Sequence, residues 1–427
     1  MDIASTGTRT PSTAVVLVGL LALSLNLRAA LAGYPPLLTA VRDALGVGAG
    51  TAGLVQAGSI LMMAAGSFAG PRFGARFGPE RGLALTVGLV ATGSLVRGAP
   101  ALVLLIAGSL VIGFGIGVAG VLLTAVIKDR LSDRVGAVTG GYVVAMMLGS
   151  TVASALAVPI AVAVGGWSLS LAVWAVPAIV AAAAWTSMVP ARGPRARAPR
   201  EGAPTPTQAQ RLPWRDGFAR LAACYQIGTS MLVYGWLTWL SPYYVSQGVE
   251  PAQAGLLLAA WSISHIPGAL LVPALADRGR WTFWAGLMLA SVTVGTVGVL
   301  LLPQPPLVGP WLWVVLIGIG SGAGFPLGLT VITRRTPDSA ASASTSALAM
   351  GAGYTVAGTG PLLMGVLVDA AGGGQLGYHL AIGLLLVAAA LQCVAIVRIG
   401  NRSGRSTRTP QAGARTPPPR STVHVSP

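Results

Sequence analysis

The sequence predicts an all-α membrane protein, with twelve transmembrane helices in two pseudo-symmetric six-helix bundles. Three observations carry that expectation: a scarcity of charge, a series of apolar runs of spanning length, and an internal repeat. Charged residues make up 9% of the 427 residues and hydrophobic ones 54%, and the mean hydropathy is +0.74. An ordinary soluble domain carries about 25% charged residues. A water-soluble fold of this length would therefore lack the charge to cover so much apolar side chain. The 58 Gly and 30 Pro would suggest disorder in a polar chain, but the hydropathy excludes it, and both residues are common in transmembrane helices.

A helix rising 1.5 Å per residue needs about 20 residues to cross about 30 Å of hydrocarbon. Runs of that kind occupy 14–38, 50–70, 82–98, 101–127, 136–164 and 168–189, then 217–245, 252–276, 281–302, 309–333, 340–368 and 376–399. They are continuously apolar, which excludes the alternating strands of a β-barrel. A backbone without water partners then has to be helical. The first run lies between Arg9 and Ala30-Leu31-Ala32, which also gives it the outline of a cleavable signal peptide. A retained span is expected, because the repeat requires it. The expected layout is a cytoplasmic tail at 1–13, an N-terminal bundle at 14–190, a basic cytoplasmic linker at 191–216, a C-terminal bundle at 217–399 and a disordered basic cytoplasmic tail at 400–427. That last tail holds no acid and should lie near anionic lipid headgroups.

Basic residues set the expected orientation. All but three of the 27 Lys and Arg fall in tails, linker or loops that this topology puts on one side. Arg42 and Arg97 fall on the other, and Arg28 lies inside the first run. Both termini are therefore expected in the cytoplasm and the protein in the cell membrane. All 11 acidic residues can be assigned to tails or loops.

The two bundles read as copies. Gly113, Gly115 and Gly117 lead through Gly120 to Val126-Ile127-Lys128, and 205 residues later Gly318, Gly320 and Gly322 lead through Gly324 to Val331-Ile332-Thr333. Asp133 and Asp338 keep that offset. Small residues at such spacing let helices approach closely. No strand precedes them and no Lys-Ser/Thr follows, so they do not read as phosphate loops.

Two six-helix halves joined by a long basic loop resemble the major facilitator superfamily. Its signature after spans two and eight is Gly-x-x-x-Asp-Arg-x-Gly-Arg-Arg/Lys. Here Pro71 and Pro273 replace the Gly and Ala75 the first Asp, while Arg76, Gly78, Asp277 and Arg278 match. The resemblance implies that these four latch the halves in gating. Longer strings are similar to the cyanate and 2-nitroimidazole transporter family: Leu25-Asn26-Leu27-Arg28, Pro35-Pro36-Leu37-Leu38, Trp239-Leu240-Ser241-Pro242-Tyr243-Tyr244 and Gly324-Phe325-Pro326-Leu327. The similarity covers most of 14–399 and implies small anionic or nitro substrates.

Arg28 is the leading site candidate. Arginine near the middle of a span costs roughly 2.5–3.5 kcal/mol on insertion scales, so it should face a wet cavity or a partner. With no acid nearby in sequence, its planar fork suits an anion or nitro group held bidentately; snorkelling or bonding to helix carbonyls is the competing account. His265 is the one intramembrane group that titrates near neutral pH. It could bind substrate, couple protons, or satisfy a carbonyl freed by Pro267. Gln56, Tyr142, Trp239 and Tyr243, with Tyr234 and Trp261, are further cavity-lining candidates. Asn26, about 200° around the helix from Arg28, is expected to bond between helices.

The expected function is a secondary active transporter moving a small anion or nitro compound, cyanate-like or 2-nitroimidazole-like, across the cytoplasmic membrane by alternating access. A proton-coupled multidrug efflux antiporter is the alternative, but it wants a membrane-embedded carboxylate. A transporter-like sensor would bind without flux. An enzyme is not expected, since no nucleophiles, acids or ligands converge at one depth. No cofactor and no metal are expected: Cys224, Cys393, His265, His379 and His424 keep no metal-ligand spacing. Partners are expected to be the small-molecule substrate and the bilayer, not nucleic acid, with the chain a monomer.

Overall fold

The computed structural model describes residues 13–131, 135–188, 213–276, 280–337 and 339–406. Among them every regular element is helical. The predicted N-terminal tail up to residue 12, most of the linker and the tail beyond 406 lie outside the described residues, as do Asp133, Asp277, Arg278 and Asp338.

The N-terminal half holds α1 (Thr13–Ala32), α2 (Leu38–Leu45), α3 (Ala49–Phe77), α4 (Pro79–Val96), α5 (Leu102–Arg130), α6 (Val135–Val164), α7 (Trp167–Val173) and α8 (Ala175–Met188). The C-terminal half holds α9 (Gly217–Ser246), α10 (Pro251–Ala276), α11 (Trp281–Leu301), α12 (Trp311–Arg335), α13 (Ser339–Ala370) and α14 (Gln375–Ser406). Ten stretches among the described residues are long and apolar enough to cross a membrane. The other two expected spans are α4, diluted by Glu80 and Arg81, and α9, which carries Gln226, Thr229, Ser230, Thr238 and Ser241. Both pack among the ten. Span one is bent: α1 stops before Pro35-Pro36, a short 3-10 turn follows, and α2 continues until Gly46 takes a left-handed φ of 62°. Span six is α7 and α8 in sequence. The last helix continues to Ser406, past the expected edge at 399, since the first proline after it is Pro410.

The repeat acquires a geometry. A Cβ on Gly113 or Gly117 would strike the backbone of Ser59 or Met63 in α3, and one on Gly318 or Gly322 would strike Trp261 or His265 in α10. Gly115 and Gly320 face the preceding helix in each half, at Thr86 of α4 and Met288 of α11. Equivalent glycines thus seat α5 on α3 and α12 on α10.

The halves meet along two seams, α3 with α13 and α6 with α10. On the second seam the Ser150 and Ser262 hydroxyls lie 2.9 Å apart. On the first, the end of the bundle remote from the start of α1 is closed by Asp369. Its two oxygens accept the N–H groups of Ala49 and Gly50, each at 2.7 Å, so a carboxylate of one half caps a helix of the other.

Three charges expected in loops are held by the fold. Asp369, exposed, sits on the helix N-terminus, and two others are turned inward. Arg97 is 1% exposed: its guanidinium donates to the Ala30 carbonyl at 2.8 Å and to the Ser109 hydroxyl at 2.7 and 3.0 Å. Glu80 is buried because Arg130 pairs with it at 2.9 Å and the Trp185 indole donates to its carbonyl.

Candidate functional site

Helix α1 has no strongly apolar face set against a polar one, and its second half, from Asn26 to Ala32, is buried throughout. Arg28 lies within that buried half and is 9% exposed. Its guanidinium carbon lies 5.7 Å from the centroid of the Tyr234 ring on α9, a cation–π contact. Its Nε is buried without a hydrogen-bond partner. Among the described residues no carboxylate forms an ion pair with it.

Tyr234 meets Tyr354 of α13 edge to face at 6.3 Å. Arg28 is within electrostatic reach of both Tyr354 and His265, and Tyr142 of α6 within reach of Tyr354. On α10, the rings of His265 and Trp261 lie 4.1 Å apart, nearly perpendicular. The His265 Nδ1 lies 2.8 Å from the Trp261 carbonyl. That carbonyl is not the one Pro267 leaves free, which belongs to Ile263, four residues back. The His265 Nε2 and the Trp261 Nε1 are both buried and without partners. The site therefore has one cation and one tyrosine from the N-terminal half, and two tyrosines, an imidazole and an indole from the other.

The other expected residues are placed as follows. Gln56 is fully buried on α3 with neither amide atom partnered. Trp239 and Tyr243 are used elsewhere: the indole donates to the Pro361 carbonyl at 3.0 Å, and the phenol to the Val299 carbonyl at 2.8 Å. Both pack edge to face on Tyr378 of α14. Asn26 donates to the Ala22 carbonyl of its own helix, not to a neighbour. Of the latch residues, Arg76 is exposed and stacks on Phe77, and Gly78 takes a φ of 78° between α3 and α4. Asp277 and Arg278 lie outside the described residues. Cys224 and Cys393 are free thiols.

Tyr354 is the residue that sequence reasoning missed. The available signal was contrast: it is the one aromatic ring in α13, a helix built mostly from Ala, Gly, Ser, Thr and aliphatic residues. Such a ring has little reason to sit there unless something faces it.

The Major Facilitator Superfamily profile matches residues 19–355. The chain is 30% identical over 364 residues to the 2-nitroimidazole transporter of Escherichia coli (strain K12), covering 84% of this chain and 89% of that one. It is 30% identical over 366 residues to the cyanate transport protein CynX of the same organism, covering 84% and 91%. Among solved structures, the fold is similar to a bacterial homolog of the human lysosomal transporter Spinster, inward-facing and unoccupied. That match has a TM-score of 0.73 at 16% identity and covers 91% of this chain and 98% of that one.

Proposed function

From the chain's membership of the major facilitator superfamily, to which it belongs as a multi-pass membrane transporter, we propose that it moves a small anion or nitro compound by alternating access. Arg28 is the group that holds this substrate. The supporting observation is its unpartnered Nε, buried against the Tyr234 ring with no protein counter-ion among the described residues. A planar guanidinium with free donors matches two oxygens on one atom, as in a carboxylate or nitro group. Two relatives at 30% identity, named for 2-nitroimidazole and for cyanate, carry substrates of this size and polarity.

The two halves rock about this site, as in transporters built from parallel repeats. In this reading the basic loops face the cytoplasm together with both termini, and the Asp369 contact closes the opposite, outer end. The expected pathway is thus from or to the cytoplasm past Arg28. Purified protein in liposomes should release preloaded radiolabelled cyanate or 2-nitroimidazole down its gradient. Saturable binding with no flux of either would leave a sensor in its place, and neither binding nor flux would end the substrate assignment.

A further inference from the structure

Hydrogen-bond direction at His265 says more about the ligand than Arg28 alone. The Trp261 carbonyl can only accept, so the His265 Nδ1, 2.8 Å away, must carry the proton that joins them. A neutral imidazole has only one N–H, and neutral is the form an unperturbed ring holds above about pH 6.5. Its Nε2 therefore presents a lone pair, in a buried position where none of the described residues supplies a donor. The ring is held by the Trp261 contacts, and the His265 main chain by the close approach of Gly322.

We propose that His265 Nε2 is a specificity acceptor: it selects, among ligands held by Arg28, those that carry an N–H or O–H beside their anionic or nitro oxygens. This rests on the reading that Arg28 holds the ligand. The cation supplies donors for the oxygens and the imidazole supplies the acceptor for the ligand's own proton. Because the two belong to different halves, one ligand satisfying both also bridges the halves. A ligand without the N–H leaves a buried lone pair unpaired, and such a loss discriminates far better than a small difference in apolar contact.

The test compares 2-nitroimidazole, which has a ring N–H, with 2-nitrofuran, which has a ring oxygen and no added bulk, by calorimetric binding to the purified full chain. The wild type should bind 2-nitroimidazole at least about tenfold tighter, the factor that one retained hydrogen bond of about 1.4 kcal/mol gives. His265→Phe should bring the two compounds within about twofold of each other, and His265→Gln, whose side-chain oxygen can accept, should restore much of the preference. Arg28→Lys should weaken both compounds alike. Equal affinity of the wild type for the two compounds, with binding still lost in Arg28→Lys, overturns the acceptor role and leaves the Arg28 site standing. A preference that survives intact in His265→Phe overturns it also. If the wild type binds neither compound, this inference fails, and cyanate flux then decides whether the substrate assignment fails with it. Should His265→Phe not fold, the wild-type comparison still decides.

Discussion

A guanidinium and an ammonium differ in what they can do against the Tyr234 ring. Arg28 stacks over it and keeps an in-plane N–H free, whereas lysine would bring a compact, strongly hydrated point charge with no fork. Arg28→Lys is expected to insert and fold normally but to lose at least tenfold in transport, measured as initial flux in liposomes against unchanged thermal unfolding. Wild-type flux in that variant would remove Arg28 from the site. Tyr354→Phe keeps the ring that meets Tyr234 and removes only the hydroxyl. It should leave protein stability within about 0.5 kcal/mol, and a change in substrate affinity would place the hydroxyl at the ligand. At this scale the sequence was half legible. Arg28 stands out because a lone cation in an apolar run has few explanations. Tyr354 does not, because its neighbours across the seam belong to segments more than a hundred residues away. Arg97 and Asp369 look like loop residues in a linear reading, and only folding reveals the carbonyl and the helix N-terminus that hold them.

At the scale of elements, the glycine spacing in α5 and α12 was readable as close packing, but not which helix each glycine seats. Gly117 lies against the Met63 backbone while Gly120, one turn on, faces open space. The two therefore make an internal control. Gly117→Val should destabilise by about 1–3 kcal/mol through overpacking. Gly120→Ala should be neutral or stabilising by up to about 1 kcal/mol through helix propensity. Thermal unfolding in detergent reads both, and equal effects would show that α5 does not seat on α3 as described. The break in span one was legible in Pro35-Pro36. The Arg97 bond to the Ala30 carbonyl that finishes α1 was not. It holds the end of α1 just beyond Arg28, on the same helix whose Leu25 backbone lies against Gly149 of α6.

For the whole molecule, the twelve-span, two-half plan followed from hydropathy and the repeat, since both are properties of the chain itself. The state of the two halves did not, because it depends on a few contacts between them. Asp369 on the Ala49 and Gly50 amides is the clearest. Charge-assisted bonds of this kind contribute about 1.5–3 kcal/mol each in net terms, so their loss can shift a two-state population by tenfold or more. Asp369→Ala should favour the form open at that end, read as a longer distance between spin labels on α3 and α13. An unchanged distance distribution would deny Asp369 a part in closure. The division of the site has a further result. Arg28 and Tyr142 travel with one bundle, and Tyr234, His265, Trp261 and Tyr354 with the other. An empty carrier must reorient with a bare positive charge crossing between two sets of neighbours, whereas one loaded with an anion carries it neutralised. Barter should therefore outpace one-way traffic: solute waiting on the far side should speed the departure of labelled solute from the near side.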